Sequence, residues 1–338
     1  MLEDLYLMIN KSYLSGFSFY VPDTVLTNND LEKMVDTNEE WIISRTGIRQ
    51  RHIAENQACS DLAFHASTQA LEKAKIKSDQ LTHIINATFT PDAYVPNAAC
   101  VLMEKIGTKG IPAMDINAAC TGFIYGMELA RSLCALHPEA KILLVASEVV
   151  SSRINIQDRS TRVLFGDGAG ACVVSRQPFS PEVQSCYIQD IMLKADGSLS
   201  DLLTVKGGGS AHPMLLGQTV TDSFFVQMEG REVFKHAVRS MQSICLEILE
   251  KNNTSAEQID LFIPHQANIR IIEALAKKME IKQENLFINV QDYGNTSAAS
   301  VPIALADAWE KGRIKPGNLV LLVAFGGGFT WGASLIQF

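Results

Sequence analysis

The feature that most narrows what this chain can fold into is a repeated order of segments. The apolar strand pattern near Ile84 recurs at Phe262, the one at Asp115 recurs at Ile288, and the one at Lys141 recurs at Asn318, offsets of 178, 173 and 177 residues. In each half a strand enters a helix through small residues, AACTG in the first and NTSAAS in the second. Each half then runs from strand to glycine turn to strand, GDGAGACVV and GGGFTWGASLI. This order predicts a duplicated α/β fold of two β-α-β-α-β-β halves, residues 1–176 and 177–338, packed as one unit with mostly parallel sheets. In such folds the C-terminal ends of the strands face a common crevice, where sites tend to lie.

Several local patterns bear on that frame. KILLVASEV (141–149) is a continuous apolar run bounded by charges and reads as a central strand buried on both faces. FGDGAGACVV (165–174) reads as a tight turn into a strand, because no helix pattern follows its glycines as a phosphate loop would require. Residues from Pro178 to about Gly217 are polar and glycine-rich and read as a connector carrying short strands, whereas 229–252 keep helical periodicity. FINV near Ile288 reads as one more strand.

Charge and cysteine usage exclude other classes. The 29 basic residues against 37 acidic ones give a net charge of −8, so no general attraction draws the chain to nucleic acid or anionic membranes. Seven scattered cysteines, with no CxxC pair and no zinc-like spacing to histidine, argue against a disulfide framework or a structural metal and for a reducing, cytoplasmic compartment. The opening stretch MLEDLYLMINKSYL lacks the pattern of a signal peptide, and no stretch approaches membrane-spanning length.

Cys120 stands in DINAACTGF, where a short apolar strand meets a helix that is apolar nearly all round. A helix N-terminus carries unpaired N–H groups and partial positive charge, which favour a thiolate. His265 in PHQAN and Asn295 in GNTSAAS occupy comparable strand-to-helix turns, and each alone reads as a cap or structural residue. Together the three make a nucleophile with two polarising donors. The run Gly326-Gly327-Gly328 can bring a backbone N–H close to the same point. The order Cys, His, Asn also fits a papain-like hydrolase, but that reading wants a CGSCW-like context and a cysteine near the mature N-terminus. Trp41 beside Arg45, Arg49 and Arg51 is either a stacking and phosphate-holding ligand site or plain packing and surface charge.

The motifs DINAACTGF, FGDGAGACVV, PHQANIRII, YGNTSAASVP and FGGGFTWG, in this order and spacing, closely resemble the β-ketoacyl-acyl carrier protein synthase III family, and the resemblance runs from about Leu14 to Phe338. It implies the thiolase-like fold, a duplicated five-layer α-β-α-β-α architecture, and a homodimer. It implies an acyltransferase that condenses an acyl-coenzyme A primer with malonyl-acyl carrier protein, releasing coenzyme A and carbon dioxide, with no cofactor beyond the thioester substrate and no metal. Cys120 then matches the acyl-accepting nucleophile, His265 and Asn295 the pair that stabilises the enolate, and the backbone N–H groups of Cys120 and Gly327 the oxyanion hole. Trp41 and Arg159 match residues that sandwich the adenine, and Arg45 and Thr37 match contacts to the nucleotide or its phosphates. Arg270, Lys277 and Lys278, at i, i+7 and i+8, offer one helix face to an acidic carrier protein or a solvated face. Tyr94, Val95 and Phe325 match the surroundings of the acyl pocket, Val95 in a loop that reaches across the dimer.

The chain departs from the family pattern at an N-terminal extension of roughly eight residues, in the first strand SGFSFYVPD, at Thr121 after the cysteine, and at Val95, where a larger aromatic often limits the pocket to acetyl. A related condensing enzyme or acyltransferase of secondary metabolism, or a non-catalytic acyl-binding protein, stays as an alternative on the same fold.

Overall fold

A computed structural model describes residues 11–338, so the N-terminal extension lies outside the described residues. The strands of the main sheet are β1 (Tyr13–Tyr20), β2 (His83–Ala87), β3 (Ala113–Ile116), β4 (Lys141–Glu148), β5 (Gly168–Ser175), β6 (Ser185–Ala195), β7 (Leu261–Pro264), β8 (Leu319–Gly326) and β9 (Thr330–Gln337). They form one sheet in the order β7-β8-β9-β6-β1-β5-β4-β2-β3. The run β3-β2-β4-β5-β1 and the run β7-β8-β9-β6 follow the same plan, parallel at the far edge and antiparallel toward the middle. Among the described residues they join through three residue pairs, Tyr13 with Tyr187, Leu14 with Cys186 and Ser15 with Ser185. His83 and Leu261, Lys141 and Leu319, and Ala119 and Ser297 begin equivalent elements, each pair 178 residues apart.

Strand periodicity produces the layers. Side chains alternate between the two faces of a strand. In β4, Ile142, Leu144 and Ala146 join one cluster while Leu143 and Val145 join another; in β8, Val320, Leu322 and Ala324 separate in the same way from Leu321 and Val323. The shared cluster holds the helices Gly122–Leu136 and Ser300–Glu310 between the two runs, through Phe123, Met127, Val301 and Leu305. The outer faces carry the helix Cys59–Ala74 on one side and Gly230–Lys251 on the other. A central helix covered from both sides must be apolar all round, and every residue of Ser300–Asp307 is buried. Among the described residues no helix is long and apolar enough to cross a membrane.

Two segments differ from their sequence pattern. Ser185–Ala195, expected as part of a connector, is an eleven-residue strand paired to β9 along most of its length. Its Asp190 hides the strand signal, yet that carboxylate is held by Lys251 at 2.8 Å and by Asn252 Nδ2 at 2.9 Å. FINV (287–290), expected as a strand, forms none: the isolated parallel bridge to Phe262 is made by Leu286, the residue before it. The Gln266 side chain captures the backbone N–H groups of Asn289 and Val290 at 2.9 and 3.2 Å, and a short helix begins at Val290 instead.

The first strand holds its place by a close approach. Gly16 sits at φ +67° where the β1–β5 register shifts, and a Cβ there would lie 2.3 Å from the Ala70 carbonyl oxygen of the packed helix. Gly16→Ala is expected to cost about 3 kcal/mol, from the left-handed backbone and the overlap together. The urea midpoint of the variant against the parent checks this, and an unchanged midpoint would contradict it.

Candidate active site

The two central helices begin with the same local device. Ala119 and Ser297 are both non-glycine residues in the left-handed region, at φ +46° and +52°. Each is held by an asparagine two residues earlier: Ala119 N–H donates to Asn117 Oδ1 at 3.1 Å and Ser297 N–H to Asn295 Oδ1 at 2.9 Å. A side chain that satisfies the backbone locally makes such a turn tolerable. The structural counterpart of Cys120 is therefore Ala298, and that of Asn295 is Asn117, rather than Asn295 standing opposite Cys120. Since Asn295 Oδ1 is occupied by its own turn, its Nδ2 remains to donate.

Cys120 follows Ala119 in a single 3-10 turn, and the helix proper starts at Gly122. Thr121, whose place after the cysteine departs from the family pattern, ties this turn to the last hairpin: its hydroxyl donates to Thr330 O at 3.1 Å, and Thr330 Oγ1 donates to Ala118 O at 3.0 Å. Gly326, at the end of β8, lies so close that a Cβ would sit 2.7 Å from Cys120 N. The backbone of Gly326 and Gly327 thus lies against the nucleophile turn.

A cavity of about 910 Å³ reaches this point, and its walls include Cys120, His265, Asn295, Ser297, Phe325 and Gly327. His265 follows β7, its N–H donating to Val323 O at 2.8 Å. Its Nδ1 is hydrogen-bonded to the Ser300 hydroxyl, while Nε2 has no protein partner. Beside Cys120 lies a carboxylate that the sequence pattern treats as a bounding charge. Glu148, the last residue of β4, is fully buried. Its Oε2 accepts from Thr90 Oγ1 at 2.6 Å, Thr88 Oγ1 at 3.0 Å and the backbone N–H groups of Phe89 and Thr90 at 3.2 Å, and its Oε1 accepts from Ser297 Oγ at 3.1 Å. Ser297 stands with Cys120 in the cavity wall where the two helix starts meet, and its hydroxyl favours the Cys120 thiolate.

Burial decides the resting charges. It lowers the His265 imidazole to about 4 and raises the Glu148 carboxyl to about 7 against the hydrogen bonds from Thr90 and Thr88. The Cys120 thiol is pushed from 9.0 up to about 12 by burial, reinforced by the nearby Glu148 charge and opposed by Ser297. The helix start, expected to favour a thiolate, is worth at most about 2 kcal/mol, so desolvation outweighs it and the resting sulfur is a thiol.

The remaining sequence-derived positions divide. Trp41, Arg45, Tyr94 and Arg270 line the same cavity; Thr37, Arg159, Val95, Lys277 and Lys278 lie outside its walls. Arg159 Cζ stands 4.8 Å from the Trp41 ring centroid, and its Nη1 donates to Asp36 O at 2.8 Å. A base between them would need two contact layers of about 3.5 Å each, so as they stand these side chains stack on one another. Val95 is 86% exposed and Tyr94 donates its hydroxyl to Gly208 O at 2.8 Å. Arg270, Lys277 and Lys278 are all exposed on the helix Ile269–Lys278. Sequence reasoning passed over Glu148, Ser297, Ser300 and Arg153, a cavity-wall residue whose guanidinium lies 4.1 Å from the Phe224 ring centroid. A charged residue closing a fully apolar strand at its C-terminal end was the available signal for Glu148.

The family described as 3-oxoacyl-[acyl-carrier-protein (ACP)] synthase III matches residues 114–197, and its C-terminal counterpart matches residues 249–338. A β-ketoacyl-[acyl-carrier-protein] synthase III of Oleidesulfovibrio alaskensis is 54% identical over 98% of this chain and all of its own length. The crystal structure of 3-oxoacyl-[acyl-carrier-protein] synthase III from Aquifex aeolicus is 44% identical, covers 97% of this chain and 100% of its own, and superposes with a TM-score of 0.87. The priming β-ketosynthase of a polyketide biosynthetic pathway is 29% identical over 96% of both chains, with a TM-score of 0.86.

The raised Glu148 value has a consequence for stability. Unfolded, this carboxyl ionises near 4.5; in the fold it keeps its proton to about 7. The folded state binds the extra proton between these values, so stability from this group is complete below pH 4.5 and is lost as pH rises through 7, by about 3 kcal/mol. Glu148→Gln, neutral at every pH, should therefore lose less stability than the parent between pH 5 and pH 8 in urea melts. Parallel pH curves for the two proteins would contradict the assignment.

Proposed function

The chain belongs to the β-ketoacyl-[acyl-carrier-protein] synthase III family, and on that premise we propose how its residues divide the work of a decarboxylative condensation. Its fold is the thiolase-like one, with five α-β-α-β-α layers, and it is an acyltransferase of the condensing type that initiates fatty acid synthesis. The observation that carries the reading is the set of one thiol and two donors with unspent capacity at one cavity end: Cys120 Sγ, His265 Nε2 and Asn295 Nδ2.

In the first half-reaction Cys120 attacks the thioester carbonyl of an acyl-coenzyme A, and the backbone N–H groups of Cys120 and Gly327 take up the negative charge on oxygen. Donors preorganised in this way are typically worth about 3 to 4 kcal/mol each. In the second, the thioester oxygen of malonyl-acyl carrier protein accepts from His265 Nε2–H and Asn295 Nδ2–H while carbon dioxide leaves. The resulting enolate carbon attacks the acyl-Cys120 thioester. This requires the imidazole tautomer in which Ser300 donates to Nδ1, leaving the proton on Nε2. A neutral imidazole suits the task, and burial keeps His265 neutral at pH 7.

The binding surfaces follow from the same reading. Coenzyme A enters past Trp41, Arg45 and Arg153, its adenine parting Arg159 from the Trp41 ring and its phosphates facing Arg45 and Thr37. The acidic carrier protein docks over Arg270 at the mouth and Lys277 and Lys278 further along the helix. Tyr94 and Val95, apolar and exposed, reach a second copy in a homodimer, where Val95 borders the partner's acyl pocket beside Phe325. A pocket with valine at that border admits acetyl and somewhat longer primers. The enzyme works in the cytoplasm with no cofactor beyond its thioester substrates. A secondary-metabolic role on the same fold is favoured less, because the polyketide priming enzyme shares 29% identity against 54% for the fatty-acid relative.

Intact-mass measurements across a series of acyl-coenzyme A primers test the assignment. Cys120→Ala is expected to abolish acylation. His265→Ala and Asn295→Ala are expected to lower condensation by about 10²- to 10³-fold while sparing acylation more. Equal loss of both half-reactions would show that the division of roles is wrong.

A further inference from the structure

Acylation requires Cys120 to lose a proton, and the two side chains that face the thioester of malonyl-acyl carrier protein are donors, unsuited to receive it. His265 is a weak base in its buried setting, and its Nδ1 is taken up by Ser300. Among the described residues the carboxylate that acts on the sulfur is Glu148, and Ser297 links the two, bonded to Glu148 and standing with Cys120 in the cavity wall where the two helix starts meet. One hydroxyl proton serves this link. Ser297 Oγ donates to Glu148 Oε1 at 3.1 Å, which leaves its lone pairs to receive the S–H proton; once the thiolate has formed the hydroxyl can turn to donate to it, the sense in which Ser297 lowers the thiol. Oε2 is held by Thr88, Thr90 and Phe89, which leaves Oε1 as the oxygen turned to the site.

Resting on the function proposed above, we propose that Glu148 is a positioning residue that stores the Cys120 proton, acting through the Ser297 hydroxyl. As the sulfur bonds to the acyl carbon, the S–H proton passes to Ser297 Oγ and the Ser297 proton passes to Glu148 Oε1. Coenzyme A leaves as thiolate and takes a proton from water. When the carbon nucleophile displaces Cys120 from the acyl group, the departing thiolate takes a proton from Ser297, which recovers its own from Glu148. The carboxyl ends ionised and the cycle balances.

The environment allows this to be read as a pH effect. The titratable groups coupled to Glu148 are the Cys59 and Cys120 thiols, both raised to about 12. Its other neighbours, Thr88, Phe89, Thr90 and Ser297, are uncharged. Between pH 6 and pH 8, Glu148 is therefore the group in this cluster that changes charge, its value lying at about 7. Gln at 148 keeps an acceptor for the threonines and turns its amide to Ser297, so the packing survives while the proton acceptor is lost.

The experiment measures the rate of Cys120 acylation by acetyl-coenzyme A from pH 6 to pH 8 in the full-length protein, Glu148→Gln and Ser297→Ala, with circular dichroism to confirm folding. In parallel, alkylation of Cys120 by iodoacetamide is followed by peptide mass spectrometry over the same range. The parent is expected to speed up roughly tenfold from pH 6 to pH 8 in both assays, as a base near 7 ionises. The parent's rate should level off above pH 7; both variants should react more slowly than the parent across the range and lose that levelling, what remains climbing steadily with pH as free thiolate forms. Parent-like rates with the same levelling above pH 7 in folded Glu148→Gln, or in Ser297→Ala, overturn the relay, and acylation with that unchanged profile would leave the functional reading intact. Failure of the parent to be acylated overturns the functional reading, and the alkylation profile then still decides whether Glu148 controls the thiol.

Discussion

Everything at the site depends on two tight turns that hold a non-glycine residue in a left-handed conformation. Ala119 and Ser297 adopt it because Asn117 and Asn295 satisfy their backbone N–H groups. The geometry after each turn aims the next residues into the interface between the two central helices. On one side this delivers Cys120; on the other it delivers Ser297 itself, beside Glu148. Thr121, Thr330 and Gly326 then clamp the first turn to the last hairpin, leaving the sulfur little freedom. Placement of this kind is what allows donors to act without reorganising during the reaction.

The second governing fact is burial. It moves all three ionisable groups toward their neutral forms: the thiol up, the imidazole down, the carboxyl up. A buried pocket whose thiol and imidazole rest neutral suits an uncharged thioester, and of the three groups only Glu148, at about 7, changes charge near neutral pH. Burial also makes every hydrogen bond to a developing oxyanion stronger than it would be in water.

The fold was legible to the extent that local periodicity follows tertiary environment. The doubly buried strands β4 and β8 and the two all-apolar helices declared themselves, because burial on both sides leaves no polar face to confuse the pattern. Ser185–Ala195 was obscured by Asp190, whose partners Lys251 and Asn252 lie some 60 residues away and cannot be inferred locally. FINV looked like a strand because its composition is strand-like; the competing Gln266 side chain decided otherwise. At the site, Cys120, His265 and Asn295 were visible as residues whose chemistry needs company. Glu148 and Ser297 were not, since a charge at a strand end and a serine near a helix start are unremarkable until the two halves are brought face to face. The stacking of Arg159 on Trp41 was equally beyond reach, being a contact between segments more than a hundred residues apart.

The correspondence of Cys120 with Ala298 bears on how such a site arises. A duplicated scaffold presents two equivalent helix starts, and the structure brings them into contact with one another. Strict symmetry would place the same side chain on both and yield two nucleophiles competing for one space. Condensation joins unlike partners, an electrophile held on sulfur and a carbanion held by donors, so the two positions have to become different. Here the two helix starts share the same backbone turn and differ in the side chains they present. One half has kept the thiol, and the other contributes a methyl group in its place with the donors around it, so the asymmetry of the reaction is written into a symmetric frame.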